Sequence, residues 1–117
     1  MIFLDQVIEI IGHSNTTSNV ELRRAAKKLL GSNFQCVVPV DKVPKHRLGY
    51  CIVNTDKAGE PGTHWFSIAP NDDLYDSLEQ NGVLSDVEQS KWEKNCGQRA
   101  LAWCLLHLQD PILAKLI

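Results

Sequence analysis

The stretch Gln89–Leu106, QSKWEKNCGQRALAWCLL, decides how the rest of the chain is read. A polar approach ends at Asn95, a good N-cap, and Gln98 three positions on completes a capping-box pattern. An apolar run with helical spacing follows, which predicts a helix from Cys96 to about Leu108. Cys96 then sits in the first turn, where free N–H groups and the helix dipole favour an anion. The thiolate is the nucleophilic form of cysteine, and helix starts favour it. Gly97 removes a side chain beside the sulfur, so a substrate backbone could come close. A buried cysteine that only begins a core helix is the plain alternative. What weighs against it lies upstream, at His64 and Asp76.

The chain has 117 residues, enough for one domain, 1–117, with a modest core. Its net charge of −2 supplies no global field that would recruit nucleic acid or an anionic membrane. No segment reaches the ~20 apolar residues that a membrane span requires, and Met1–Ile11 lacks a basic leader pattern. Cys36, Cys51, Cys96 and Cys104 have no zinc-knuckle spacing and are too few for a disulfide scaffold. Free thiols in a reducing, intracellular compartment are therefore expected, with no metal and no cofactor. Cys36, Cys51 and Cys104 lie in apolar runs and read as core residues.

Apolar residues at helical spacing predict a helix from Phe3 to Ile11. Ser18-Asn19-Val20-Glu21 is a capping-box pattern ahead of a second helix, Asn19 to Leu30, closed by Gly31. Arg23, Arg24, Lys27 and Lys28 fall on its polar face and read as solvated. Short strands are expected over Phe34–Val40, Leu48–Asn54, Thr63–Ala69 and Leu74–Leu78. Leu48–Asn54 is nearly all apolar, which suits a central strand buried on both faces. Val83–Glu88 reads as a short helix or turn. Pro111 breaks the last helix, and Ile112–Ile117 forms an apolar tail that needs a surface. His13, His46 and His107 have no acid at a telling spacing and read as surface or helix-end residues.

Along Thr63–Ala69, His64, Phe66 and Ile68 share one face, while Trp65 and Ser67 share the other. If Ala69 pairs with Asp73 around a three-residue turn, Asp76 lies opposite Phe66 and diagonal to His64. Such diagonal neighbours are about 7–8 Å apart at the backbone, within reach for an imidazole and a carboxylate. A four-residue turn would reverse the parity. A carboxylate holding the Nδ1–H leaves Nε2 free to take a thiol proton. Helix cysteine, strand histidine and neighbouring-strand aspartate together make an activated nucleophile. Gln89, seven residues before Cys96, offers an amide N–H that with the Cys96 backbone N–H could hold an oxyanion. Taken alone it is an ordinary surface glutamine.

GYCIVNT followed by GTHWFSIA resembles a strand-loop-strand of the adenovirus protease (adenain) family, and LYDSL is similar to the acidic strand of the wider superfamily that includes SUMO- and ubiquitin-like proteases. The glutamine, six residues and Cys-Gly match that family's oxyanion donor and nucleophile, and the order His, Asp, Gln, Cys is the family's own. The segment from Leu29-Leu30-Gly31 through Asp41-Lys42 also resembles the family's N-terminal part, so the likeness runs over about 19–107. It implies an α+β fold with a small mixed β-sheet packed between helices. It implies Cys96 as nucleophile, His64 as general base and later acid, Asp76 orienting His64, and Gln89 at the oxyanion. Trp65 would shield the histidine and, with Gly97, line the substrate cleft; Trp92 and Trp103 read as packing residues, although Trp92, between Gln89 and Cys96, could line the cleft as well.

The implied reaction is hydrolysis at glycine-containing motifs through a thioester, on viral capsid or core precursors. That reading places the protein in a virion or in the host nucleus or cytoplasm. A peptide activator or a dimer partner is a further implication; the net charge argues against DNA. The chain departs from adenain in carrying Asp76 where adenain has Glu, in a shorter His64-to-Asp76 stretch, and in ending 21 residues after Cys96. It reads as a minimal version of the fold. An isopeptidase acting on a ubiquitin-like modifier, and a non-catalytic binding domain on the same scaffold, are the alternatives.

Overall fold

In the computed structural model, residues 2–11, 18–55, 64–76 and 96–116 are described. Helix α1 covers Ile2–Ile11 and α2 covers Asn19–Leu30. The capping box ahead of α2 forms as its four residues predict. The Glu21 N–H donates to Ser18 Oγ and the Ser18 N–H to Glu21 Oε1, each at 3.2 Å. Leu22, Ala25, Ala26 and Leu30 are buried, while Arg23, Arg24, Lys27 and Lys28 are exposed. Gly31 ends the helix at φ 58°, a left-handed conformation that side chains disfavour, and its N–H donates to the Lys27 carbonyl.

Four strands follow: β1 (Phe34–Pro39), β2 (Tyr50–Asn54), β3 (Trp65–Ile68) and β4 (Leu74–Tyr75). They form one mixed sheet in the order β1-β2-β3-β4. β1 runs parallel to β2, and β2–β3 and β3–β4 are antiparallel. All five residues of β2 are buried, as its unbroken apolar run requires of a central strand. Pro39 ends β1, the edge strand, a position where proline is tolerated.

Helix α3 (Cys96–Gln109) packs on β2 and β3; α2 packs on β1 and α3, and α1 on α3. One core joins them: Leu22, Ala26, Val37, Ile52, Trp65, Tyr75, Leu101 and Trp103 all belong to it. The Ser67 hydroxyl ties sheet to helix by donating to the Ala100 carbonyl at 2.6 Å. Among the described residues the helices thus back one face of the sheet, and the expected packing of the sheet between helices is not seen. The other face carries Cys51 and Val53, equally buried.

Pro111 breaks the helix as expected, α3 ending at Gln109. Pro111 opens a further helix, α4 (Pro111–Lys115), because proline at the first helical position sacrifices no bond. Asp110 caps it, its carboxylate accepting from the Leu113 N–H at 3.0 Å. Ala114 is buried, but Ile112, Leu113 and Leu116 stay exposed, so little of this apolar segment finds a surface.

The ten-residue connection from β1 to β2 is organised by Gln35. Its Oε1 accepts from the N–H groups of Leu48 (2.8 Å) and Gly49 (3.2 Å), and its Nε2 donates to the His46 carbonyl (3.2 Å). A Cβ at Gly49 would stand 2.6 Å from the Asn33 carbonyl oxygen and 3.1 Å from the Gln35 nitrogen, both backbone atoms. Gly49→Ala is therefore expected to destabilise by about 1–3 kcal/mol, since only a backbone shift relieves the clash. A lower denaturant midpoint at unchanged slope is the readout.

Candidate active site

The β3–β4 hairpin positions two of the predicted residues. The Ala69 N–H donates to the Asp73 carbonyl at 2.8 Å and the Asp72 N–H to the Ala69 carbonyl at 3.0 Å. The loop Pro70-Asn71-Asp72 therefore has three residues. Pro70 sets the first turn angle, and Asp72, at φ 73°, supplies the left-handed residue that such loops need. The register pairs Ser67 with Tyr75 and Ile68 with Leu74, which brings Asp76 opposite Phe66. Asp76 thus shares a face with His64, and Nε2 of His64 meets Asp76 Oδ1 at 2.5 Å. The His64 carbonyl accepts from the Thr55 N–H at 2.9 Å, extending the β2–β3 ladder up to the imidazole.

Cys96 opens α3, as its spacing predicts, and its side chain helps raise the pKa of the His64 imidazole. By the β3 alternation His64 and Asp76 belong to the sheet face opposite Trp65 and Ser67, and the imidazole, just ahead of β3, interacts with both the carboxylate and the sulfur. All three residues are buried, at 6%, 9% and 6% exposure for Cys96, His64 and Asp76. Burial on its own disfavours the imidazolium. The hydrogen bonds to Asp76 and Cys96, with the charges behind them, outweigh it and push His64 up to about 9. A histidine held in that range is protonated at neutral pH.

One atomic assignment is corrected. The nitrogen facing the carboxylate is Nε2, not Nδ1.

Gly97 and Trp65 pack against each other where α3 meets the sheet. A Cβ on Gly97 would stand 3.1 Å from Trp65 Cδ1 and 3.2 Å from Leu22 Cδ1. The glycine is what lets α3 settle onto these two side chains. Trp65 is buried on the helix side of the sheet, in the core cluster. Gln89, Trp92 and the capping residue Asn95 lie outside the described residues, as do His13 and Val83–Glu88.

A second cluster was missed by sequence reasoning. His107 is buried near the end of α3, where Tyr50 Oη lies 2.6 Å from its Nδ1 and Asp73 Oδ2 2.9 Å from its Nε2. The hydrogen bond from His107 holds the Asp73 carboxyl below its ordinary value; desolvation opposes this, and the Asn71 amide and Lys115 assist it. Burial first, then the charges of Cys104 and Asp73, push the Tyr50 phenol up to about 12, so its O–H is the donor to Nδ1. The cluster pins α3 to the start of β2 and to the turn that sets the Asp76 register. His107 lies 57 positions from Tyr50 and 34 from Asp73, beyond any local spacing signal. The cue in the sequence was only a histidine amid apolar neighbours, Leu105, Leu106 and Leu108.

No family model, curated protein or solved structure matches this chain. No group of three or more metal-ligating side chains occurs among the described residues. No described helix is long and apolar enough to cross a membrane.

Proposed function

We propose that this protein is a cysteine peptidase, with Cys96 as nucleophile, His64 as its imidazolium partner and Asp76 as the group that holds the imidazolium. The observation that carries the reading is the shared histidine, hydrogen-bonded to a carboxylate and interacting with a helix-start sulfur. An imidazolium beside a thiolate is an activated nucleophile, and the same ring can later protonate a leaving amine. Attack on a carbonyl carbon gives a tetrahedral oxyanion, then a thioester with loss of the amine, and water releases the acid. The first N–H groups of α3 and the amide of Gln89 are the donors assigned to that oxyanion.

Low exposure at the sulfur and the imidazole favours a thin chain at the reacting bond, which supports the glycine-containing motifs of the adenain-like proteases. The resemblance of GYCIVNT, GTHWFSIA and the Gln-to-Cys spacing supports the same family and its viral precursor substrates. An isopeptidase would use the same chemistry on a folded modifier.

The test is cleavage of a library of glycine-containing peptides by the full chain and by Cys96→Ala. Turnover that disappears with the sulfur is the expected result; equal turnover in the two proteins removes the proposal. Iodoacetamide at mildly acidic pH separates the scaffold alternative. The expected outcome is faster alkylation of Cys96 than of a small free thiol, reduced in His64→Ala. A scaffold would show neither effect.

A further inference from the structure

The thiols of Cys36 and Cys51 are register partners on the parallel strands β1 and β2, and their sulfurs lie 3.2 Å apart. Both are free. They sit on the sheet face away from the helices, remote in sequence from Cys96. We propose that Cys36 and Cys51 form a reversible oxidation site, in which a hydroperoxide converts the two thiols to a disulfide that bridges β1 and β2. This proposal does not rest on the peptidase reading.

The geometry favours a disulfide over a bound metal. Neighbouring strands are about 4.8 Å apart, inside the ~4.4–6.8 Å Cα separation that a disulfide spans. The sulfurs need to close by only about 1 Å to reach bonding distance. Two thiolates on a zinc ion would stand ~3.8 Å apart and need further ligands. No group of three candidate ligands exists among the described residues. The register shift at Gln35, between Phe34 and Cys36, gives β1 a local irregularity through which Cys36 can move.

The two cysteines are unequal. Cys36 is half-buried on the edge strand and Cys51 is fully buried on the central one. Burial and the neighbouring Cys36 push the Cys51 thiol up to about 12, although the Arg47 charge opposes this. Arg47 lies close by, with a buried Nε–H that has no partner among the described residues. Cys36 therefore meets the oxidant and Cys51 resolves the product. The Cys36 sulfur attacks one peroxide oxygen, the O–O bond breaks, and a sulfenic acid and water form. The Cys51 sulfur then attacks the Cys36 sulfur, the S–O bond breaks, and a second water leaves with the Cys51 proton. Two thiols lose two electrons in all, and one hydrogen peroxide is reduced to two waters. An external dithiol reverses the change.

The experiment treats the full chain carrying Cys96→Ser with hydrogen peroxide, alkylates the remaining thiols and digests without reductant. Trypsin cuts between the two cysteines after Lys42, Lys45 and Arg47, so a disulfide joins two otherwise separate peptides. The expected result is a Cys36–Cys51 linked pair that has lost two hydrogen atoms and is restored by dithiothreitol. The oxidised protein should melt higher, on the order of 10 °C, because the bond closes a loop of about 15 residues. In Cys51→Ser, oxidation should stop at a Cys36 sulfenic acid that dimedone traps. Intermolecular dimers through Cys36, sulfinic acid at Cys36 with Cys51 still alkylatable in the unfolded digest, or no change in either thiol would each overturn the proposal. The linked-peptide measurement needs no substitution at either cysteine, so it stands even if a serine variant folds poorly.

Discussion

Asp76→Asn is expected to lower kcat/KM for peptide cleavage by about 10²-fold or more while Cys96 stays in place. A neutral amide cannot balance the imidazolium that Asp76 holds at 2.5 Å. If the asparagine presents its NH₂ to Nε2, that nitrogen must accept, and the ring is held neutral beside the sulfur. The pH profile is the sharper readout. Wild-type activity should hold through neutral pH and fall as His64 loses its proton near 9. In Asp76→Asn that alkaline limb should move down toward the ordinary histidine value of ~6.5.

Stability carries the same sign. The folded pKa of His64 lies above its unfolded value, so its contribution is fully present below ~6.5 and is lost as pH rises through about 9. The stability gap between wild type and Asp76→Asn should therefore be larger in urea titrations at pH 6 than at pH 10. Identical pH profiles in the two proteins would remove the carboxylate from the mechanism.

Trp103→Ala is the substitution expected to cost the fold most. The indole is 2% exposed and stacks on Tyr75 with ring centroids 5.8 Å apart and planes 14° from parallel. It also tilts against His107 at 4.8 Å, and its Nε1–H donates to the Ala114 carbonyl at 3.2 Å. Truncation leaves a cavity where α3, α4 and the β3–β4 hairpin meet, at a cost of about 3–5 kcal/mol. Against a total of about 5–15 kcal/mol, that leaves a marginal or unfolded chain. Trp103→Phe keeps a ring in the stack but drops the N–H, and should lose only about 1–2 kcal/mol. Circular dichroism melts of the two variants test this. Equal losses would mean the hydrogen bond, and not the packing, holds the corner together.

How far the sequence could be read depended on how local each signal was. The α2 capping box involves residues three apart, and it forms as expected. The central strand announced itself by an apolar run without alternation. The parity of Asp76 hung on the length of one turn, which the sequence left open and the structure makes three residues, Pro70-Asn71-Asp72. What stayed hidden required knowing the sheet order first. The Cys36–Cys51 contact exists only because β1 pairs parallel to β2, and nothing within either strand says which neighbour it takes. The Tyr50–His107–Asp73 cluster needs β2, α3 and the turn docked together. The choice of Nε2 over Nδ1 is a ring rotation that no spacing encodes. At Gly97 the sequence signals a close approach without saying by what; here Trp65 and Leu22 make one.

The hairpin has a kinetic corollary. His64 and Asp76 are twelve positions apart across a tight turn, whereas the β1–β2 pairing and the docking of α3 bring together distant parts of the chain. Hairpins form in ~1–10 μs, and contacts that close long loops come later. An early folding species would thus hold the imidazole–carboxylate pair with no sulfur beside it. The sulfur of Cys96 joins that pair only when α3 docks on the sheet.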